Sequence, residues 1–201
     1  MTQVDAPALG KIFTDGATFE TGGGVFRMAV EELGNLDLPS GRLYACDPFV
    51  ELEQDSAAAF LASVPAGSYP IQVARVRRDG TAGSWVVAVK LVIWDEPAFT
   101  WEVDDDRPGY GVDAGAGCFI DLESVPVFEQ LHGAGVDSPV RAAFRPADGE
   151  AVATILTDAA SGQAMAVFSS GPGDGYYPTW IGRGVSGEVV CFVTQFMNPE
   201  V

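Results

Sequence analysis

The residues most able to do chemistry lie in a glycine-rich segment near the middle of the chain. Asp113 and Asp121 flank this segment, whose glycines leave one side of the backbone open to a ligand or another strand. A bend at the glycines would bring the two carboxylates together. With Asp174 and Asp47 they predict an all-oxygen site for Ca²⁺ or Mg²⁺, of the kind that supports metal-assisted hydrolysis. The alternative is that each carboxylate accepts N–H bonds within its own turn.

A second candidate is the glycine-rich loop around Asp174. The rings of Tyr176 and Tyr177 follow at once, and Trp180 lies in the next predicted strand. Tyr110 adds a ring in the central segment. Aromatic faces beside carboxylates suit a sugar or a nucleobase. The alternative is a structured turn whose aromatic side chains cap the core.

Arg42 is an isolated charge in an otherwise apolar predicted strand. A guanidinium in that setting can clamp a carboxylate or phosphate through two hydrogen bonds, and the alternative is an internal ion pair. The candidate ligand-binding residues are Arg42, Asp47, Tyr110, Asp113, Asp121, Asp174, Tyr176, Tyr177 and Trp180, and the candidate metal ligands are Asp113, Asp121 and Asp174.

The charge of the chain narrows the range of partners. There are 28 acidic residues against 11 basic ones, which gives a formal net charge of −17. Such a chain is repelled by nucleic acid and by anionic membrane surfaces, and it lacks an apolar run of about 18 residues that would span a bilayer. Acidic clusters at 51–55 and 95–106 predict a face for a basic protein, as in immunity-type inhibitors of nucleases. The alternative is a surface that only confers solubility.

The elements that must position these residues are mostly strands. The 24 glycines and 13 prolines disfavour a helical bundle and suit short strands joined by tight turns. Alternation predicts strands at 69–78 and 85–94 around a glycine turn, with others at 25–30, 42–46 and 97–103 and four more between 151 and 196. A helix is expected within 122–132, starting at Val125 with Ser124 as N-cap and Pro126 in its first turn.

These elements predict a mainly β fold, either an antiparallel β-sandwich or packed sheets with one short helix. A β-rich α+β fold is the alternative. We expect a single domain over residues 1–201 with a loosely ordered lead-in at 1–20. The three cysteines form no metal or redox motif, and the chain opens without a basic and apolar signal, so the expected location is the cytoplasm.

Three segments carry a resemblance to a known family. They are PSGRLYACDPF at 39–49, GYGVDAGAGCFID at 109–121 and FSSGPGDGYYP at 168–178. In order and spacing they resemble a bacterial family of small proteins classed as a domain of unknown function, over about residues 34–196. The resemblance implies no particular chemistry.

Three functions follow from these patterns. One histidine and no complete catalytic motif favour a non-catalytic binding or interaction module for a small ligand or a protein partner. The second hypothesis is a divalent-metal-dependent hydrolase that uses the clustered aspartates. The third is an immunity-type inhibitor of a basic toxin.

Overall fold

Two packed antiparallel sheets make up most of the protein. The structure is a computed structural model that describes residues 9–52, 62–133, 138–145 and 150–198. The strands of this described part are β1 Thr18–Thr21, β2 Gly24–Leu38, β3 Leu43–Cys46, β4 Gly67–Arg78, β5 Trp85–Val92, β6 Thr100–Val103, β7 Gly109–Val112, β8 Ala116–Asp121, β9 Ala153–Thr157, β10 Ala164–Ser169, β11 Gly175–Arg183 and β12 Val189–Gln195. A 3-10 turn at Leu122–Ser124 leads into helix α1 Val125–His132, and helix α2 spans Pro139–Ala143.

The strand order explains which strands are buried on both faces. The larger sheet runs β1-β2-β4-β5-β12-β11-β6, with β7 also paired to β11, and the smaller sheet runs β3-β8-β10-β9. β5 is rich in valine and lies between β4 and β12, with residues of both its faces buried. The turn that leads into it contains two glycines at positive φ, Gly80 and Gly83, which glycine adopts without strain.

Apolar side chains form three layers around the two sheets. The central layer lies between the sheets and includes Phe119, Phe168 and Phe192. A second layer covers the outer face of the larger sheet, where the segment before β1 packs Ile12 onto the strands. The third layer lies between the smaller sheet and α1, with Phe128 at its centre.

The exposed edge of the larger sheet positions the candidate site. β11 pairs with β7 through its first half and with β6 through its second half. The loop at 104–108 leaves the edge between these two strands, and the Thr179 amide donates to the Pro108 carbonyl where the loop returns. β7 also contacts β3 of the smaller sheet. The loop therefore stands at the corner where the two sheets meet.

The mainly β prediction, with two antiparallel sheets and a short helix, is confirmed. The helix begins at Val125 as expected, but Ser124 makes no side-chain capping bond. The central glycine-rich segment forms β7 and β8 with a bend at residues 113–115, where Gly115 takes a positive φ, but the extended β8 carries Asp121 away from Asp113. Part of the expected loose lead-in is ordered, because β1 pairs with β2 and Phe19 is buried. None of the helices in the described residues has the length and apolar character needed to cross a bilayer.

Candidate functional site

A pocket of about 460 Å³ opens at the corner between β3 and β7. Its walls come from the end of β3, the turn that follows, the loop at 104–108, β7 and the start of β11. We call it the Arg107 pocket, and it is lined by Tyr44, Val50, Glu51, Asp106, Arg107, Pro108, Gly109, Tyr110, Gly111 and Tyr176.

Arg107 forms the inner wall of this pocket. Its guanidinium carbon lies 4.8 Å from the centre of the Tyr44 ring, and Nη2 donates to Glu51 Oε2 at 3.2 Å and to the Ala45 carbonyl at 3.4 Å. Only 19% of the side chain is exposed. Nε is buried, and no acceptor for it lies within reach among the described residues. A buried donor without a partner costs free energy, so the fold keeps this arginine in place at a cost.

The partners of Arg107 are themselves held in place. Asp104 Oδ1 accepts from the backbone amides of Asp106 at 2.9 Å and Arg107 at 3.2 Å, which fixes the turn of the loop. The Tyr44 hydroxyl donates to the Glu51 carbonyl at 2.8 Å. Burial raises the pKa of Tyr44 well above its usual value, so this hydroxyl keeps its proton. The guanidinium, its aromatic support and its carboxylate are therefore positioned before a ligand arrives.

Asp47 fixes the turn that carries Glu51. The carboxylate is fully buried, and Oδ2 accepts from the amides of Asp113 at 3.0 Å and Ala114 at 2.8 Å. Its Oδ1 accepts from the Phe49 amide at 2.9 Å, while the Asp47 carbonyl accepts from the Glu51 amide at 3.0 Å. Asp47 thus joins the end of β3 to the turn between β7 and β8.

Two glycines of β7 line the pocket for different reasons. A side chain at Gly109 would overlap the backbone of Tyr177 and Pro178 on the neighbouring strand, so the close pairing of β7 with β11 requires glycine. At Gly111 a Cβ would meet only Glu51 Oε1, at an ordinary 3.8 Å. Glycine at this second position leaves open space in the pocket.

Tyr176 and Tyr110 present different surfaces. Tyr176 is 61% exposed at the mouth of the pocket, so its ring is available to a ligand. Tyr110 is buried, and its hydroxyl lies over the backbone of Gly117. Burial raises the pKa of Tyr110 well above its usual value. Tyr110 therefore closes the back of the pocket, while Tyr176 forms its outer wall.

The structure does not bring all three predicted metal ligands together. Asp113 and Asp174 are exposed and lie at the same end of the β7–β11 ladder, just beyond the Val112–Gly175 pair. Asp121 is fully buried at the far end of β8, where Oδ2 accepts from the amide and hydroxyl of Ser40 and Oδ1 accepts from the Glu123 amide. The bend at residues 113–115 precedes β8, whose six residues are extended, so the bend does not bring Asp121 back to Asp113. Among the described residues no three histidine, cysteine or acidic side chains are grouped to hold a metal ion.

Three other candidate residues lie away from the pocket. Arg42 is exposed beside the Asp121 end of the smaller sheet, and its side chain makes no ion pair with any described residue. The Tyr177 ring packs on Phe196 at 5.0 Å inside the core. Trp180 is buried in the outer layer of the larger sheet. The aromatic residues of the third segment thus divide, with Tyr176 at the pocket and the other two in the core.

The acidic clusters are partly occupied within the fold. Glu51 pairs with Arg107, and Glu102 pairs with Arg183 at 2.7 Å. Asp104 is buried and stabilises its own turn. Glu53 and Asp55 lie outside the described residues. Among the described acidic residues of the two clusters, Glu51, Glu102 and Asp104 are thus engaged within the fold.

The sequence interpretation missed Arg107, Tyr44 and Glu51 as site residues. Two signals could have found them. Arg107 is a lone base directly after three aspartates, two positions before the GYG motif. Tyr44 lies inside the PSGRLYACDPF segment, in which only Arg42 and Asp47 were selected. The three residues meet only in the folded chain, so their spacing in sequence carries no pattern.

Together the fold and the site define a mainly β protein with a polar pocket at a sheet edge. A family model described as a protein of unknown function, DUF4241, matches residues 36–194. The chain belongs to this family, and the matched region agrees with the 34–196 expected from the three segments. No curated protein and no solved structure matches the chain.

Proposed function

We propose that the protein is a non-catalytic binding module whose Arg107 pocket binds a small carbohydrate. The observation that carries the proposal is the arrangement of one fixed guanidinium, two carboxylates and one exposed ring around a single cleft. Arg107 forms an ion pair with Glu51 and lies over the Tyr44 ring. Asp106 lines the same cleft, and the ring of Tyr176 is exposed at its mouth. A volume of about 460 Å³ is in the usual range for a small-molecule site.

The charges favour a neutral ligand rich in hydroxyl groups. Carboxylates such as those of Glu51 and Asp106 accept short hydrogen bonds from hydroxyls. The same carboxylates, together with the net charge of −17, oppose an anionic ligand such as a phosphate. The exposed ring of Tyr176 offers an apolar face to the C–H side of a sugar. A neutral mono- or disaccharide satisfies all three features.

Two features support binding rather than catalysis. The chain has one histidine, His132, which lies at the end of α1 with its ring 5.8 Å from Phe49 and does not line the pocket. Glu51 is engaged by the guanidinium of Arg107, which suits a fixed hydrogen-bond acceptor. The Arg107 pocket is built to hold fixed charges in a fixed geometry.

Saturation-transfer NMR on the full-length protein tests this proposal. The probes are the methyl glycosides of glucose, galactose and N-acetylglucosamine, the disaccharide cellobiose, and adenosine as a planar comparator. We expect a signal from at least one sugar, and we expect Tyr176→Ala to weaken its binding about tenfold, equivalent to about 1.4 kcal/mol. Phe99→Ala is the matched control, because Phe99 is an exposed ring outside the pocket.

Two results would count against the proposal. Absence of any sugar signal, or an equal loss with Phe99→Ala, would remove the carbohydrate assignment. New anomeric signals from glucose in the cellobiose sample would show turnover and overturn the non-catalytic part. A signal from adenosine alone that depends on Tyr176 would replace the sugar with a nucleobase.

The cysteines support the proposed cytoplasmic location. Cys46 and Cys118 are buried on paired strands with their sulfur atoms 3.5 Å apart, and they are free thiols. Thiols this close remain reduced in a reducing compartment.

A further inference from the structure

A second pocket lies on the outer face of the larger sheet and contains Lys90 of β5. Its volume is about 190 Å³, and it opens between the segment before β1 and the loop after β5. The Lys90 amine lies 4.3 Å from the centre of the Phe13 ring, and Trp94 and Trp101 add two more aromatic walls. Among the described residues no carboxylate comes within ion-pair distance of this amine. We call this site the Lys90 pocket.

The surroundings of Lys90 weaken its hold on a proton. Burial lowers its pKa, against the opposing effects of Cys191 on β12 and Asp95 in the loop after β5. Burial also raises the pKa of Cys191 to about 11, so at neutral pH this thiol is uncharged and does not stabilise the ammonium. Glu96 completes the titratable groups at the pocket, and Gln72, which pairs with Lys90 from β4, is uncharged. The Phe13 ring favours the cation, but a ring replaces only part of the lost hydration.

We propose that Lys90 is a reactive amine that condenses with a small neutral aldehyde in this pocket to form an imine. A desolvated lysine among apolar side chains is a recognised form of activated nucleophile. The small volume admits a short carbon chain, and the aromatic walls of Phe13, Trp94 and Trp101 favour an apolar one. The carboxylates of Asp95 and Glu96 line the same pocket and oppose an anionic carbonyl compound such as a 2-oxo acid.

The condensation is balanced in atoms and charge. The ammonium first loses a proton to solvent, and the free amine of Lys90 adds to the carbonyl carbon to give a carbinolamine. The nitrogen then forms a double bond to carbon while the hydroxyl leaves as water, taking up a proton. That proton comes from solvent, which received one proton from the ammonium in the first step. The products are one protonated imine and one water, so the positive charge of the starting ammonium is conserved and no oxidant or cofactor is consumed.

The sequence provides an internal control for the test. Lys11 and Lys90 are the only lysines, and Lys11 is exposed. The full-length protein is treated with propanal and cyanoborohydride, which reduces an imine to a stable propyl amine, and the propylated peptides are quantified by mass spectrometry. At about pH 8 we expect Lys90 to be labelled at least about threefold faster than Lys11, because the lowered pKa of Lys90 leaves more of its amine unprotonated and the pocket holds the aldehyde beside it.

The class of aldehyde is tested in the same way. Glyoxylate, an anionic aldehyde, replaces propanal, and we expect the preference for propanal over glyoxylate to be larger at Lys90 than at Lys11. The Lys90→Arg variant keeps a cation on the Phe13 ring and is expected to retain the Lys11 labelling while the fast phase disappears. Labelling of Lys90 no faster than Lys11 in the wild-type protein would overturn the reactive amine. Equal preferences at the two lysines would overturn the neutral-aldehyde class.

Discussion

The two pockets each place one basic side chain in a strongly acidic protein, and they treat its charge in opposite ways. In the Arg107 pocket the guanidinium is paired with Glu51, bound to a carbonyl and supported by the Tyr44 ring. In the Lys90 pocket the amine lies against Phe13 without a carboxylate of the described chain in ion-pair contact. The net charge of the protein is common to both sites. The local contacts of each cation therefore decide its chemistry.

The difference separates recognition from reactivity. Arginine keeps its charge in proteins and offers a rigid set of donors, which suits the orientation of a ligand. Lysine changes its pKa readily when buried, which suits covalent chemistry. The carboxylates follow the same division, because Glu51 faces its cation directly whereas Asp95 and Glu96 only line the other pocket. Variants that damage one pocket should therefore leave the other intact.

The largest effect is expected from Asp47→Ala. The change leaves three backbone amides without their acceptor and should lower the free energy of unfolding by about 3–5 kcal/mol. It should also abolish sugar binding, because the turn that carries Glu51 loses its anchor. Labelling of Lys90 should persist under conditions where the variant is folded. Chemical denaturation measures the stability, saturation-transfer NMR measures sugar binding, and mass spectrometry measures the labelling of Lys90.

Asp113→Ala is the matched control for that variant, since Asp113 is exposed beside the same turn. It should change the stability by no more than about 0.5 kcal/mol. Equal destabilisation by the two variants would show that the buried carboxylate has no special role.

The two glycines of β7 sharpen the comparison further. Gly109→Ala forces a methyl group into the backbone of β11 and should cost about 2–4 kcal/mol. Gly111→Ala has room for its methyl group and should stay within about 1 kcal/mol of the wild type, while the methyl fills part of the Arg107 pocket and weakens sugar binding. Thermal unfolding and a sugar titration separate the two. Unchanged sugar binding in Gly111→Ala would place the ligand elsewhere.

The pH dependence of stability tests the Lys90 pocket. The pKa of Lys90 is lowered in the folded chain from about 10.4 in the unfolded chain, so between these two values the unfolded chain binds more protons. Stability relative to Lys90→Met should therefore rise with pH across that window, by less than about 1 kcal/mol after solvent screening.

Both proteins in that comparison should carry Cys191→Ala. The raised pKa of Cys191 acts in the opposite sense, because the folded chain then holds the proton longer than the unfolded chain and stability falls as pH rises. Stability curves that run parallel as the pH approaches about 10.4 from below would contradict the lowered pKa of Lys90.

The smallest effect is expected from Tyr176→Ala. An exposed ring at the mouth of the pocket adds little to folding, so stability should change by no more than about 0.5 kcal/mol, as for Phe99→Ala. Differential scanning fluorimetry measures both variants. A loss of more than about 1.5 kcal/mol for Tyr176→Ala alone would assign the ring to packing rather than to ligand contact.

Strands with one buried face were predicted well from the sequence. In β4, for example, buried apolar residues alternate with more exposed ones, which gives the sequence a period of two. It located α1 because Pro126 is compatible only with a first turn. It misjudged β7 and β8, since glycine usually weakens a strand and here Gly109 and Gly117 are required by close packing of neighbouring groups.

The candidate site was predicted only in part. Tyr110 and Tyr176, which were both selected from the sequence, line the pocket. Asp47 lies outside the pocket and accepts backbone N–H bonds in its turns, which was the alternative expected for the aspartates. Arg107 and Glu51 were missed as a pair because they are far apart in the chain and meet only when β3 and β7 form the corner. The local sequence pattern identifies residues that form turns. A contact between residues of distant loops depends on the tertiary fold and leaves no such pattern.

The most direct test is an NMR titration of the Arg107 side chain. Its Nε–H group is buried beside the pocket, and Arg107→Lys identifies its resonance by removing it. We expect this resonance to shift progressively and saturably as the glycoside with the strongest saturation-transfer signal is added, while the resonance of exposed Arg42 stays in place. If the Arg107 resonance does not move while that sugar binds, the pocket is not the binding site.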